Sequence, residues 1–281
     1  MTRLQMLLWA GGTMLVVIAL LIFFLEVIDV DRKIPDGFSR GDQCEKLNVG
    51  GSVLEPKNTW SNAGYLFAGL LIFYRGRRLR SVVVGLFLCL TGVFSAMYHA
   101  VPINGTLQML DIAAIDWVLL ALIGYAVLSL DFHFYATERD VAVEKLIAIV
   151  SLVLGTVMAI TRTEFAPFES TKATVGLVFV LVVFLVTGYF SGQDSKKNLS
   201  TSEKIAFLLA VLIVAIPTTL CRFLDGVDNG AEKALCSPNA LLQAHAVWHV
   251  CSALLLLIGF DYFTRVANQP DERIFADAET D

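Results

Sequence analysis

The stretch "LLQAHAVWHVCSALLLLIGF" (241–260) decides the fold. It is predominantly apolar, and its length matches the roughly 20 residues that a helix needs to cross a hydrocarbon core about 30 Å thick. His245 and His249 are four residues apart, so on a helix they share one face. The stretch is therefore predicted to be a transmembrane helix that carries two imidazoles at membrane depth.

The rest of the chain has the same character. Of its 281 residues, 56% are hydrophobic and 17% are charged. The hydrophobic share is higher and the charged share lower than in a typical soluble domain, which favours a membrane protein. Eight apolar segments are candidate spans, near 5–27, 59–75, 81–101, 109–130, 145–161, 173–190, 205–221 and 241–263. We therefore predict an all-α, multi-pass membrane bundle with no large soluble domain and no nucleic-acid partner.

Two short loops predict the orientation in the membrane. The connection "RGRRLR" (75–80) carries four arginines, whereas "VPINGT" (101–106) carries none. Because cytosolic loops are enriched in Lys and Arg, the first loop is predicted to be cytosolic, together with both termini. The longer connections 28–58 and 222–240 are then extracytoplasmic.

Each of these outer connections contains a cysteine, Cys44 in the first and Cys236 in the second. An extracytoplasmic compartment permits disulfides, so Cys44 and Cys236 are a natural pair. Sequence alone does not fix the connectivity, and Cys221, at a helix end, could replace Cys236 as the partner of Cys44. Cys89 and Cys251 lie within helices and are predicted to be small buried residues without a disulfide.

Polar residues inside the predicted membrane region are concentrated in three helices. The third span ends in "FSAMYHA", which contains Ser95 and His99, the fourth begins in "LQMLDIAAIDW", which contains Asp111, and the last begins with His245 and His249. Because the third span runs outward while the other two run inward, all three groups are predicted at one depth, near the extracytoplasmic face. Ionisable residues at membrane depth are costly and usually functional.

Three histidines from two helices predict a zinc site. Catalytic zinc commonly has three protein ligands and an open fourth position, and an i, i+4 pair of histidines is the spacing seen in H-E-x-x-H helices. The glutamate of that motif is absent from "HAVWH", so Asp111 is the predicted residue that orients a water or takes its proton. Ser95, one turn before His99, could donate a hydrogen bond to a developing oxyanion.

Packing roles are the alternative for each of these residues. A single transmembrane histidine can be an interhelical hydrogen-bonding residue, and Ser95 could bond the carbonyl of its own helix four residues earlier. Asp116 is five residues after Asp111, so it is predicted to point to a different face and to pair with a neighbouring helix. His133 is predicted to be a surface residue of a cytosolic loop.

The combination of motifs resembles the alkaline ceramidases and, more distantly, the superfamily that includes the adiponectin-receptor-like proteins. The blocks that carry the resemblance are the Ser-x-x-x-His at the end of the third span, "LQMLD", "HAVWH" and, upstream, "GDQCEKLNVGGSVLEPKNTWSN" (41–62). The resemblance covers about 41–263. It implies zinc ligands at His99, His245 and His249, and catalytic neighbours at Ser95 and Asp111.

The resemblance also implies a calcium ion in the loop before the core. Its ligands would be Asp42, the backbone carbonyl of Gln43, Glu45, Asn48 and Glu55. Gln43 stands where the family has tryptophan, and Asn48 is one residue further from Glu45 than in the family pattern. Carboxylate and amide oxygens of this kind suit a hard cation. The family also implies a disulfide between this loop and the loop before the last helix, which matches Cys44 and Cys236.

The expected organisation is an extra N-terminal transmembrane helix at 1–28, an acidic loop at 29–57, a seven-helix core at 58–265 and an acidic cytosolic tail at 266–281. The expected function is zinc-dependent hydrolysis of ceramide or a related N-acyl membrane lipid to a sphingoid base and a fatty acid. The alternative is a receptor-like or lipid-remodelling protein that acts on another lipid amide or ester. A transporter would place charged or broken helices near the membrane midplane, whereas the ionisable residues here are predicted near one surface.

Overall fold

A computed structural model describes residues 3–27, 45–76, 78–101, 105–130, 138–165, 209–217 and 242–266, with single positions at 177, 183, 205, 220 and 239. The described segments contain helices and no strands, as predicted. The helices are α1 (Arg3–Val27), α2 (Pro56–Ser61), α3 (Ala63–Arg75), α4 (Leu79–Ala100), α5 (Gly105–Leu130), α6 (Glu138–Phe165) and α7 (Ala244–Val266). Residues 209–217 are also helical.

Five helical segments within the described ranges are long and apolar enough to cross a membrane. They are Leu4–Phe23, Leu79–Ala100, Gly105–Val127, Val141–Thr161 and Ala244–Asp261. They coincide with five of the eight predicted spans, those near 5–27, 81–101, 109–130, 145–161 and 241–263. Almost all of the predicted span near 173–190 falls outside the described residues, as do positions 206–208, 218, 219 and 221 of the predicted span near 205–221.

The predicted span near 59–75 forms two helices instead of one. The helical backbone begins earlier, at Pro56, a residue that favours the first helical turn because it has no N–H to leave unpaired. It is interrupted at Asn62. The side-chain amide of this residue donates to the carbonyl of Asn58 at 2.8 Å, and its backbone N–H donates to the carbonyl of Thr59 at 3.3 Å. Short polar side chains compete in this way with the helical hydrogen bonds. The break separates α2, which contacts the candidate site, from the apolar helix α3.

Helices α3 and α4 pack closely because small residues face each other. A Cβ added at Gly85 would lie 2.8 Å from the carbonyl oxygen of Gly69, and one added at Gly69 would lie 2.7 Å from the Sγ of Cys89. Small residues at helix interfaces allow backbones to approach in membrane bundles. The fully buried side chains of Leu88 and Leu119 belong to the core cluster that α3 and α4 form with α5 and α7. This packing fixes the position of α4, which carries His99 in its last turn.

Helix α1 packs along α3. Ala10 is fully buried against α3, and the hydroxyl of Thr13 lies 3.0 Å from that of Tyr74. Most of the other large apolar side chains of α1 are exposed, including Trp9 and Leu15. In a membrane these side chains would contact lipid, as expected for an accessory transmembrane helix.

Contacts between helix ends establish how the helices run relative to one another. Arg75, at the end of α3, forms an ion pair with Asp261, near the end of α7, at 2.7 Å. At the same end of the bundle, the N–H of Arg80, at the start of α4, donates to the carboxylate of Glu144 in α6 at 3.2 Å. The end of α4 and the start of α7 therefore meet at the opposite end of the bundle, as predicted. Which membrane face that end occupies remains a prediction.

Candidate metal centre

The structure brings together the three histidines that the sequence singles out. His99 lies in the last turn of α4, and His245 and His249 lie in the first two turns of α7. One ring nitrogen from each histidine lies within 4.8 Å of the others. All three side chains are buried, with 1%, 7% and 1% of their surface exposed. Among the described residues, this is the one group of three that could hold a metal ion.

Local backbone contacts hold His99 in place. The last carbonyls of a helix have no partner within it, and here the preceding loop supplies donors. The N–H of Leu54 donates to the carbonyl of Ala100 at 2.9 Å, and the N–H of Glu55 donates to that of His99 at 3.1 Å. The loop before α2 is thus fastened to the end of α4.

The separation of two ring nitrogens fits a tetrahedral metal ion. Nε2 of His99 and Nε2 of His245 are 3.3 Å apart. With Zn–N bonds of about 2.0 to 2.1 Å, tetrahedral geometry separates two ligand nitrogens by about 3.3 to 3.4 Å. The triad therefore fits zinc both in its donor type and in this distance.

The outer nitrogen of His99 is held by Glu55. The Oε2 atom of Glu55 lies 2.6 Å from Nδ1 of His99, and Glu55 is fully buried. When Glu55 is ionised, its carboxylate can only accept hydrogen bonds, so Nδ1 of the neutral His99 ring carries the proton and Nε2 is left with its lone pair. A carboxylate behind a histidine is a frequent arrangement at metal sites, where it fixes the ring and increases its basicity.

The outer nitrogen of His249 is held by a different group. Oγ of Ser61, the last residue of α2, lies 2.8 Å from Nδ1 of His249. The sequence analysis did not identify this contact, nor that of Glu55 with His99. The pairs are separated by 188 and 44 positions, and no local pattern links them.

The structure relates Ser95 and Asp111 to His99 in different ways. Ser95 is buried one turn before His99 on the same helix. One turn earlier on the same helix, the hydroxyl of Thr91 donates to the carbonyl of Phe87 at 2.9 Å. Asp111 is partly buried in α5 and close enough to His99 to interact with it electrostatically.

Asp116 faces elsewhere, as predicted from its spacing. It is fully buried in α5, and a Cβ added at Gly155 of α6 would lie 3.2 Å from the Cβ of Asp116. Asp116 therefore lies against a neighbouring helix. His133 is outside the described residues.

Three of the five predicted calcium ligands are described. The carboxylate of Glu45 accepts the N–H groups of Lys57 and Asn58 at 2.8 and 2.9 Å, which caps α2. Burial raises the pKa of the Glu45 carboxyl above its usual value, and these two hydrogen bonds oppose that effect. Asn48 is exposed and donates to Val53 at 3.2 Å.

The third, Glu55, directs Oε2 towards His99 and also accepts from the side chain of Asn58 at 3.3 Å. Asp42 and Gln43 fall outside the described residues, so the calcium site stays a prediction.

The predicted disulfide also stays a prediction, because Cys44, Cys221 and Cys236 lie outside the described residues. Cys89 and Cys251 are free thiols within helices, as predicted, and they are partly rather than fully buried.

A family model described as "Ceramidase" matches residues 38–276 of the chain. The match includes every helix that contributes to the histidine site and leaves α1 outside it. A comparison with individually curated proteins found no match.

Proposed function

The chain belongs to the ceramidase family, a family of lipid-amide hydrolases, and we propose that it hydrolyses ceramide or a closely related N-acyl lipid with the aid of zinc. The observation that carries the proposal is the buried triad, in which Nε2 of His99 lies 3.3 Å from Nε2 of His245 while Glu55 and Ser61 hold the outer nitrogens of two rings. His99, His245 and His249 would hold the ion. Bound zinc supplies a Lewis acid that polarises a carbonyl and lowers the pKa of water to about 7.

Asp111 acts as the base in this proposal. It is partly buried and interacts with His99, so it can accept the proton of a water molecule as the water oxygen bonds to the amide carbon. It then returns the proton to the amide nitrogen as the C–N bond breaks. The water oxygen remains in the fatty acid, and the departing sphingoid base receives the proton.

Ser95 stabilises the carbonyl oxygen. Ser95 is buried in α4 one turn before His99, so its hydroxyl can donate to the negative charge that develops on that oxygen. Preorganised donors of this kind contribute most in a site that excludes water.

The position of the triad suits a substrate that stays in the membrane. The site lies at one end of the bundle, next to the loop that precedes α2, and a lipid amide lies just below the polar headgroups. We expect the acyl chain to extend among the core helices. We also propose that calcium binds in the loop 42–55, on the strength of the family resemblance and of the two buried carboxylates, Glu45 and Glu55.

Metal analysis coupled to ceramide hydrolysis tests the proposal. Purified protein should contain about one zinc ion per chain and release fatty acid from ceramide, and His245→Ala should lose both properties. His133→Ala is the control, because this histidine is predicted to lie in a cytosolic loop away from the site.

Protein without zinc would contradict the mechanism. Protein with zinc that cleaves another lipid amide or ester, but not ceramide, would favour the alternative substrate class. Assays with and without Ca²⁺ test the second ion separately.

A further inference from the structure

Ser61 stands between a backbone carbonyl and a histidine of the triad. Its Oγ lies 2.8 Å from the carbonyl oxygen of Asn58 and 2.8 Å from Nδ1 of His249. The His249 ring is 1% exposed and packs against Tyr65 and Trp248, with centroid distances of 5.9 and 5.2 Å. Water therefore has little access to this ring.

The positions of the protons follow from the two contacts of Ser61. A hydroxyl has one hydrogen, and a carbonyl can only accept, so the hydrogen of Ser61 is directed to Asn58. The oxygen of Ser61 must then accept from Nδ1–H of His249. A neutral imidazole with its proton on Nδ1 has the lone pair on Nε2.

We propose that Ser61 is a positioning residue that fixes the tautomer and the ring orientation of His249, and so prepares its Nε2 as a metal ligand. The inference rests on the proposed function, since it assumes that the triad binds zinc. It also assigns a role to α2. Glu55, directly before this helix, orients one ring through a carboxylate, and Ser61, at its end, orients a second ring through a neutral hydroxyl.

Thr264 provides a matched control. Its hydroxyl donates to the carbonyl of Asp261, three residues earlier, at 2.9 Å, just as Ser61 donates to Asn58. Both hydroxyls are partly buried, but Thr264 lies in the last turn of α7, far along the helix from the two histidines. A purely local role for Ser61, as a hydroxyl that ends a helix, would make the two positions equivalent.

The test is the zinc affinity of metal-stripped, full-length protein, measured by competition with a chromogenic chelator. Loss of a partner behind a metal ligand typically weakens metal binding about 10- to 100-fold. Ser61→Ala should raise the dissociation constant for zinc by such a factor, whereas Ser61→Thr, which keeps the hydroxyl, should restore it to within a few-fold of wild type. Thr264→Val should leave it unchanged.

Wild-type zinc affinity in folded Ser61→Ala would overturn the inference, as would an equal loss in Thr264→Val. If the unaltered protein binds no zinc, the proposed function itself fails. If it binds zinc and Ser61→Ala binds equally well, only the role of Ser61 is wrong.

A measurement on the unaltered protein covers the case in which Ser61→Ala does not fold. In ¹⁵N-histidine NMR of the metal-free protein, the resonances absent from His249→Gln should report a protonated Nδ1 and an unprotonated Nε2. The opposite tautomer would overturn the inference.

Discussion

The carboxylate of Glu55 lies 2.6 Å from Nδ1 of His99, and the N–H of the same glutamate donates to the carbonyl of the same histidine at 3.1 Å. One residue thus fixes both the backbone and the ring of a predicted metal ligand. Both side chains are buried to within 1% of their surface, so water cannot replace either contact at low cost. The loop before α2 is therefore part of the site and not only a connection to it.

Replacement of Glu55 by glutamine tests the charge of this contact. The amide oxygen of Gln can still accept from His99, but it lacks the negative charge that increases the basicity of the ring. We expect Glu55→Gln to weaken zinc binding about 10-fold and Glu55→Ala to weaken it about 100-fold, within the range for such partners. The measurement is chelator competition in calcium-free buffer.

Because Glu55 is also a proposed calcium ligand, the control is the same titration with Ca²⁺ added. Equal zinc affinity in all three proteins, without calcium, would show that the contact is dispensable for the metal.

The pKa of Glu45 predicts a dependence of stability on pH. Burial is the largest influence and raises the pKa above 4.5, so the folded state favours the protonated carboxyl. Stability from this group is complete below the ordinary pKa and is lost as the pH rises through the raised value. The melting temperature of wild type, minus that of Glu45→Gln, should therefore fall as the pH increases from about 4 to about 7.

The measurement is thermal unfolding in detergent with EGTA present, so that calcium does not contribute. If the melting temperature of wild type minus that of Glu45→Gln instead grew with pH, the two hydrogen bonds from Lys57 and Asn58, which lower the pKa, would outweigh burial, which raises it.

The sequence predicts those features that depend on local composition. Apolar length predicts the spans, and the i, i+4 spacing of His245 and His249 predicts their common face. The depth of His99 follows from the direction of its helix. The contacts of Glu55 and Ser61 could not be predicted, because they depend on how a loop folds against helix ends that are distant in the chain. The break at Asn62 also escapes prediction, since a single amide hardly changes the hydropathy of an apolar segment.

Close packing of α3 on α4 predicts a large effect of a single methyl group. In Gly85→Ala the new Cβ would lie 2.8 Å from the backbone oxygen of Gly69 and 3.0 Å from Phe73, so the helices must separate. Overpacking of this kind typically costs about 1 to 3 kcal/mol. We expect a lower melting temperature and weaker zinc binding, because α4 carries His99.

Gly12→Ala is the control for this prediction. Gly12 is also within a membrane helix, but nothing lies within 4 Å of an added Cβ. This variant should match wild type in both measurements, and a loss as large as that of Gly85→Ala would mean that helix packing is not the cause.

Ser95 and Asp111 should separate catalysis from metal binding. Neither belongs to the histidine triad, so Ser95→Ala and Asp111→Asn should keep zinc affinity within a few-fold of wild type. Loss of an oxyanion donor costs about 10² to 10³ in kcat, and loss of a general base costs about 10² to 10⁴. We expect losses of these sizes in ceramide turnover, with little change in KM.

The matched control is Thr91→Val, which removes a buried hydroxyl one turn before Ser95 on the same helix. That hydroxyl is bonded to the carbonyl of Phe87, so turnover should be unchanged. If Ser95→Ala and Thr91→Val lost activity equally, the hydroxyl of Ser95 would have a packing role. If Asp111→Asn kept full turnover, the proton would have to move through another group. Only a loss specific to Ser95 and Asp111, at constant zinc content, supports a catalytic role for both.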